Sequence, residues 1–335
     1  MNLFCICKMH TFAKNKNLKA LLRLYLAMKV RIYGAMLLFA AILCACSSSG
    51  VDEPADVPVP EPPSSPIPIN ISVSQSGIDE TRVADNVFEA GDRIGLYVVN
   101  RNSSDGSERP LATQGNHIDN ALFAYDGMWR PETLLYWLDD KTYTDFYIYY
   151  PYTASVADVN NMEFSVAADQ STEAAYKAGD MLMGMAKNIA PTESAVQITA
   201  RHAMSQMYIT IVPGNGFTAE SLAAADVKVR INGVRTHASA NLATGEVEAV
   251  GVTTTVTAYK DGDVYKALIV PQSVGDGNLI TVNVDGRDYN MPKAFTFVSG
   301  KRHRFTVTLS KANAGVNVSI DQWEDDGTDN GGTAE

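Results

Sequence analysis

Apolar and polar residues alternate with a period of two along most of the chain after residue 68. Ile69, Ile71 and Val73 alternate with polar neighbours, which is typical of a strand with one buried face. No segment shows the 3.6-residue period of a long helix with comparable strength. Short helical turns are predicted only at 173–178 and 218–225, the second capped by Thr218. The pattern therefore predicts an all-β fold. The other strands predicted in the first half are 93–100, 122–125, 145–150, 162–166, 181–186 and 196–200.

Asn-Gly and Asp-Gly pairs punctuate the second half of the chain. Such pairs supply the positive φ that tight two-residue turns require. They predict three antiparallel hairpins, and two further strands follow. Each half then holds about seven short strands, the arrangement of a β-sandwich, with a boundary near residue 200. The hairpins are 227–231 with 234 onward, 254–259 with 264–270, and 279–284 with 287–291; the last strands are 303–309 and 316–320.

The tetrapeptide Leu43-Cys44-Ala45-Cys46 resembles a bacterial lipobox and follows an apolar run over 32–43. The run of about twelve residues is too short to cross a hydrocarbon core of roughly 30 Å as a helix. We therefore predict a signal peptide over 1–45 and lipidation of Cys46 as the first mature residue. Met28 is a candidate true start. The alternative interpretation is a short membrane or core helix that ends at an incidental cysteine.

Seven prolines fall within 54–68. Proline fixes φ and has no amide hydrogen, so residues 46–68 are predicted to form an extended tether. Its proline-rich part would reach roughly 45 Å at about 3.1 Å per residue. The alternative interpretation is a ligand for a proline-binding module.

Charge and cysteine content exclude several classes of function. Removal of 1–45 changes the balance from 27 basic and 38 acidic residues to 20 and 38, a net charge of −18. Such a chain lacks the clustered Lys and Arg that phosphate contacts need, so no nucleic-acid partner is expected. All four cysteines lie at or before Cys46, so the predicted mature chain has no disulfide, thiolate metal site or Cys nucleophile.

Motifs for catalysis, metals or cofactors are missing from the sequence. His117, His202, His237 and His303 are too far apart to form a local metal motif, and His202 is predicted to be structural. No His-Glu-x-x-His, Gly-x-Ser-x-Gly or phosphate loop is present. We predict no catalytic residues, no metal and no cofactor, although a triad assembled from distant positions stays open.

Two weaker candidates for binding have simpler structural explanations. Asp325-Asp326-Gly327 with Asp329 is a candidate calcium site, but the tail 324–335 is better explained as a disordered acidic segment. The tyrosines around 147–152 form either a platform for sugars or a central strand buried on both faces.

Short motifs recur in order across the predicted mature chain. Together with the lipobox, this ordered set resembles the fimbrillin family of exported lipoproteins, many of which are subunits or anchors of type V pili. The resemblance implies two tandem transthyretin-like antiparallel β-sandwich domains, here 69–200 and 201–323, and an outer-membrane destination. It also implies pilin-like partner subunits joined by strand donation. The motifs are Thr81-Arg82, 88–97, Tyr150-Pro151-Tyr152, Asp169-Gln170-Ser171, Gly179-Asp180, His202-Ala203-Met204-Ser205, Leu242-Ala243-Thr244-Gly245, Pro271-Gln272 and Trp323.

In the family that this chain resembles, an Arg-preferring protease removes the first strand and opens a groove for a donated strand. The corresponding pieces here are the strand Ile69–Gln75, with Ile69, Ile71 and Val73, and the bond after Arg82. The alternative is a permanent first strand and an ordinary loop arginine.

The expected function is that of a non-enzymatic, lipid-anchored surface protein. It would serve as a fimbrial subunit or anchor, contribute to adhesion, and meet a host or bacterial surface ligand. The alternative is a stand-alone surface lipoprotein that binds carbohydrate or another extracellular ligand.

Overall fold

A computed structural model describes residues 65–76 and 88–311, together with 332–334. Nearly all of the regular structure in these ranges is strand, so the predicted all-β class is confirmed. The strands are β1 (Ile71–Ser76), β2 (Arg93–Asn100), β3 (Ile118–Tyr125), β4 (Trp129–Pro131), β5 (Thr144–Tyr150), β6 (Met162–Ser165), β7 (Leu182–Ile189), β8 (Val196–His202), β9 (Ser205–Pro213), β10 (Val227–Asn241), β11 (Glu246–Thr257), β12 (Tyr259–Asp261), β13 (Val264–Ile269), β14 (Gln272–Val274), β15 (Asn278–Val284), β16 (Arg287–Pro292), β17 (Phe295–Phe297), β18 (Arg302–Leu309) and β19 (Gly332–Ala334).

Two short helices complete the described structure, α1 (Glu173–Lys177) and α2 (Ala219–Ala224). Thr218 caps α2 as predicted, because its hydroxyl accepts a hydrogen bond from the Ser221 amide. The Ser221 hydroxyl in turn accepts from the Thr218 amide, so serine closes a capping box in the position usually held by Glu or Gln. No helix in the described ranges has the length and apolar character needed to cross a membrane.

A seven-stranded sheet with the order β1-β8-β7-β5-β2-β3-β4 forms the first half. Its central strands are buried on both faces. On β5, Phe146 and Ile148 face one core, whereas Tyr147 and Tyr149 face another. Because β2 and β7 flank β5, the prediction of a doubly buried central strand is confirmed.

The second half contains a sheet with the order β11-β10-β15-β16, onto which β6 adds beside β10, and a sheet with the order β12-β13-β9-β18-β19. These two sheets enclose a core that includes Val229, Ile231 and Phe305. A separate middle core combines Tyr97 and Tyr149 of the first sheet with Ala238 and Ala240 of β10 and Leu268 of β13. Residues from before and after position 200 therefore share one core. The boundaries 69–200 and 201–323 stay a prediction.

Between the named strands of the described residues, pairing is antiparallel with three exceptions. β1 pairs with β8, β18 with β9, and β19 with β18, all in parallel, so the predominantly antiparallel sheets contain three parallel pairs. The parallel pairs arise because chain segments far apart in sequence, rather than neighbours joined by hairpins, complete these sheets.

The predicted hairpin at Asn232-Gly233 is wrong. β10 continues through this dipeptide, and Gly233, at φ 71°, takes part in a register shift against β11. Asn232 donates to the Thr281 hydroxyl of β15 and accepts from the Thr255 hydroxyl of β11. Flanking strands on both sides thus keep the chain extended, and the positive φ of the glycine forms a bulge instead of a turn.

The other two hairpins form, one of them shortened. Asp285 and Gly286, both at positive φ, join β15 to β16 as predicted. At Asp261-Gly262 only Tyr259–Asp261 pairs with β13. Residues 254–257, predicted to belong to that hairpin, pair with β10 instead. The predicted strand 316–320 and Trp323 lie outside the described residues.

Two glutamine side chains, Gln170 buried and Gln272 partly buried, fill gaps in the strand pairing. β12 covers β13 only as far as Lys266, and beyond it the Gln170 side chain exchanges two 2.8 Å hydrogen bonds with the Leu268 main chain. On β10, pairing with β15 ends at Ile231 and pairing with β6 begins at His237. Between them, the Gln272 side chain exchanges two 2.8 Å hydrogen bonds with the Arg235 main chain. Each primary amide thus acts as a substitute peptide group.

Candidate functional site

The segment from Ile67 to Gln75 closes the seam between the two ends of the seven-stranded sheet. Its first part pairs with the stretch that follows β4: the Ile69 amide donates to the Leu135 carbonyl at 2.8 Å, and the Trp137 amide donates to the Ile67 carbonyl at 3.0 Å. Its second part, β1, pairs in parallel with β8 from Ile71 opposite Val196 onward. One continuous segment therefore satisfies the backbone of two separate edges.

The side chains of this segment also complete the core beneath it. Ile69 and Ile71 are buried in the cluster that contains Trp137 and Val196, and Val73 packs against its margin. Burial of an aliphatic side chain of this size stabilises a fold by about 1.5–3 kcal/mol. The predicted first strand is therefore observed, with its apolar side chains directed inward as the alternation indicates.

The seam is the part of the described molecule best suited to exchange of one strand for another. Without Ile67–Gln75, the outer backbone groups of β8 and of residues 135–137 would lose their partners, and the apolar floor would be exposed. An added strand can satisfy both at once, with backbone groups for the edges and alternate side chains for the floor. The seam is therefore the candidate site for strand exchange.

Sequence reasoning missed one wall of this seam. Residues 134–138 read Leu-Leu-Tyr-Trp-Leu, a run without polar alternation, so no strand was predicted there. In the structure Trp137 is directed into the core, whereas Leu134, Tyr136 and Leu138 are exposed. The signal was present as a short apolar run, but periodicity alone does not separate its two faces.

Several predicted sites lie outside the described residues. These are Cys46, Arg82 and the acidic tail with Asp325, Asp326 and Asp329. Their proposed roles in lipidation, processing and calcium binding stay predictions.

The histidines of the described ranges make separate structural contacts. His202 Nδ1 lies 2.8 Å from an Asp180 carboxylate oxygen, which agrees with the structural role predicted for His202. His117 Nε2 lies 2.8 Å from the Tyr136 carbonyl oxygen, and His237 Nδ1 lies 2.8 Å from the Ser165 hydroxyl. Within the described ranges, no three His, Cys, Asp or Glu side chains are grouped so that they could hold a metal ion.

The tyrosines of β5 do not form a sugar-binding platform. Tyr147 and Tyr149 are buried, and the Tyr149 hydroxyl lies 2.7 Å from the Asn120 side-chain oxygen and 2.9 Å from the Thr153 carbonyl oxygen, either of which can accept its proton. Burial raises the pKa of Tyr149 and, with the nearby Asp92 carboxylate, raises the pKa of Tyr150 to about 12. These hydroxyl groups therefore stay protonated inside the core.

The fold and the seam define an all-β protein whose first sheet is completed by a separate edge segment. A profile of the family described as "Fimbrillin-like" matches residues 81–323. The chain belongs to this family, as the ordered motifs indicated.

A relative in Bacteroides uniformis supports the assignment. The protein named "Putative fimbrium subunit Fim1C" is 29% identical over 310 residues, which cover 88% of this chain and 96% of the relative.

Solved structures share the fold at lower identity. A structure described as "a putative cell adhesion protein" from Bacteroides uniformis matches with a TM-score of 0.56 and 22% identity, over 80% of this chain and 98% of that one. A structure from Bacteroides ovatus with the same description matches with a TM-score of 0.58 and 18% identity, over 73% and 92%.

Proposed function

We propose that this chain is a lipid-anchored structural subunit or anchor of a surface fimbrium that contributes to adhesion. The observation that carries the proposal is the seam, where one segment completes both the backbone pairing and the core of the first sheet. Family membership and the name of the Bacteroides uniformis relative support it. The chemistry required is recognition of backbone edges, which needs no catalytic group.

Assembly would follow from exchange at the seam. The incoming strand, supplied by another pilin-like subunit, would lie parallel to β8 and present apolar side chains at the positions of Ile69 and Ile71. Cleavage after Arg82 would free the resident segment together with Cys46, so a cleaved copy would act as a polymerised subunit and an uncleaved copy as the membrane anchor. Because Ile69 and Ile71 are buried, the freed segment would leave slowly unless a donor strand replaced it.

The anchor would be an acyl-modified Cys46 in the outer membrane, joined to the folded part by the proline-rich stretch 46–68. The sequence supports this through the lipobox and the absence of other cysteines after residue 46. One acyl chain alone binds a membrane reversibly. Stable attachment through Cys46 would therefore require more than one acyl chain on this residue.

Cleavage and polymerisation are tested on the mature protein with an Arg-specific protease. We expect N-terminal sequencing to give a new start at Val83, followed by ladders that resist SDS. The Arg82→Ala variant should stay intact and monomeric. Arg109→Ala, which changes an exposed arginine followed by proline, is the matched control and should behave like the wild type. Complete cleavage with persistent monomers would overturn assembly by strand exchange and favour a stand-alone surface role.

Anchoring is tested separately by metabolic labelling with a fatty-acid analogue in a lipoprotein-competent bacterium. Label on the wild type and on Cys44→Ser, but not on Cys46→Ser, is the expected result. Label that persists in Cys46→Ser, or its absence from the wild type, would contradict lipidation at Cys46 without affecting the assembly proposal.

A further inference from the structure

The outer edge of β11 is an open strand edge over most of its length, far along the chain from the seam. β11 pairs with β10 on one side, from Glu246 opposite Asn241 to Thr257 opposite Arg230. On the other side, pairing within the described ranges is confined to the C-terminal end, where Ala168 and Gln170 exchange hydrogen bonds with the Thr257 main chain. That short parallel contact shows that this edge accepts an added strand.

The open part of the edge has the composition of a strand that pairs well. From Ala249 to Thr257 the sequence AVGVTTTVT carries no charge and is mostly β-branched. Natural edge strands usually prevent pairing with another chain through Lys, Pro, inward charges or bulges, and β11 has one such bulge, at Gly251. β11 carries glutamates only at its other end, at 246 and 248.

A bulge makes this edge more exposed rather than covering it. Between the pairs Arg235–Thr253 and His237–Val250, β11 holds two residues against one on β10, with Gly251 at φ 83°. Val252 is consequently 82% exposed, the highest value among the exposed large apolar side chains of the described residues, and Val250 is 38% exposed. An isolated exposed valine is unremarkable, but two of them on an open, uncharged strand edge indicate a contact surface.

We infer that β11 is an interaction edge for β11 of a second copy of this chain, paired antiparallel across a two-fold axis near Val252. Charge selects this arrangement. Antiparallel pairing places Glu246 and Glu248 of the two copies at opposite ends of the contact, whereas parallel pairing would place glutamates beside glutamates. The uncharged strand residues around Val252 are self-complementary, as a two-fold contact requires, and the Arg235 guanidinium lies beside them, where it donates to the Gly251 carbonyl at 3.0 Å.

The length of the contact follows from the occupied end. Ala168 and Gln170 cover Thr257, so the partner strand can extend only over about 250–255. Six residues from each copy form a short contact, and the predicted mature chain carries a net charge of −18. We therefore expect weak, reversible dimers that become stronger as salt screens the repulsion between copies.

The test is sedimentation equilibrium of the intact mature protein at increasing concentration and salt. We expect a monomer–dimer equilibrium that Val252→Lys weakens by about tenfold or more, because two lysines meet near the axis. Val298→Lys is the matched control, since it adds the same charge at another exposed valine, 45% exposed, and should leave the equilibrium unchanged. A monomeric wild type at every concentration, or equal weakening by both variants, would overturn the inference.

Cysteine cross-linking gives an independent readout of the same edge. Mild oxidation of Val252→Cys should give a symmetric covalent dimer, whereas Val298→Cys should give only the background of the unsubstituted chain. Equal cross-linking of the two variants would overturn the two-fold contact. Neither experiment depends on cleavage at Arg82, so failure here is distinguishable from failure of the proposed fimbrial function.

Discussion

The Gln170 side chain forms a substitute peptide pair with Leu268. Its Nε2 donates to the Leu268 carbonyl and its Oε1 accepts from the Leu268 amide, both at 2.8 Å, and the Gln170 side chain is fully buried. Gln170 also binds Thr257 of β11 through its own amide. This residue therefore holds β11 and β13 together at the middle core, which gives a physical reason for glutamine in the motif Asp169-Gln170-Ser171.

We predict that Gln170→Ala lowers the free energy of unfolding by about 2–4 kcal/mol, because two buried main-chain groups of Leu268 lose their partners. Urea denaturation followed by circular dichroism measures the change. The control is Gln197→Ala, an exposed glutamine that donates only to the Ala195 carbonyl, with an expected change within about 0.5 kcal/mol. Similar losses in the two variants would show that the amide pair at Leu268 contributes little.

Position 95 must be glycine because the ring of Tyr149 occupies the space that a side chain at this position would need. The two residues are cross-strand partners, and a Cβ at position 95 would overlap the Tyr149 ring, which Asn120 and Thr153 hold by its hydroxyl. We predict that Gly95→Ala destabilises the fold by about 3 kcal/mol through overpacking. Thermal unfolding is the measurement. Gly275→Ala, where a Cβ meets open space, should leave the melting temperature nearly unchanged, and equal effects would contradict the steric explanation.

Two Arg–Asp pairs in this chain are expected to differ sharply in their contribution to stability. Arg101 Nε donates at 2.9 Å to Asp145, whose side chain is fully buried and also accepts from the Asn188 amide at 2.6 Å. This hydrogen bond raises the pKa of Arg101. Arg101→Ala should cost about 3–5 kcal/mol, because it leaves a buried carboxylate without its cation.

The matched variant is Arg130→Ala, which breaks an exposed pair with Asp126 and should cost about 0–1 kcal/mol. Chemical denaturation of both variants in low and high salt provides the comparison. A small loss for Arg101→Ala would mean that water reaches the Asp145 carboxylate.

Alkaline pH should unfold the first sheet. Burial raises the pKa of Tyr97 and Tyr150 to about 12, above the value of about 10 for an exposed phenol. The stabilisation is therefore complete below pH 10 and is lost as pH rises toward 12, because the unfolded chain releases these protons first. We expect phenolate absorbance and loss of circular dichroism to appear together. Tyr97→Phe should move the transition to higher pH, and phenolate formation without unfolding would contradict this.

Sequence periodicity correctly predicted the strands in which each face has the same environment along the whole strand. Alternation located β1 and β18, and apolar residues on both faces of 146–149 indicated the central position of β5. It could not locate residues that long-range pairing places in special roles. Gly233 reads as a turn residue until strands on both sides of β10 fix it in a bulge.

The glutamines and the seam show the same limit. Gln170 and Gln272 are polar residues in short motifs, and the hydrogen bonds of their side chains depend on gaps in the pairing of strands that lie 98 and 37 residues away in sequence. Likewise, the sequence near Ile69 predicts a strand, but it does not predict that this strand also pairs with residues 135–137. That second pairing depends on the tertiary arrangement of the whole sheet. Local pattern determines which face is buried, and tertiary pairing determines which edge is covered.

The length of β10 has a mechanical consequence. This strand of 15 residues places Val229 and Ile231 in one core and Ala238 and Ala240 in another, and it pairs along most of its length with β11. A pull along the strand direction would load these hydrogen bonds in shear, so many would have to rupture at once. In a fibre under flow, β10 would resist extension. Unfolding under force would therefore begin in the short peripheral strands before β10 separates from its neighbours.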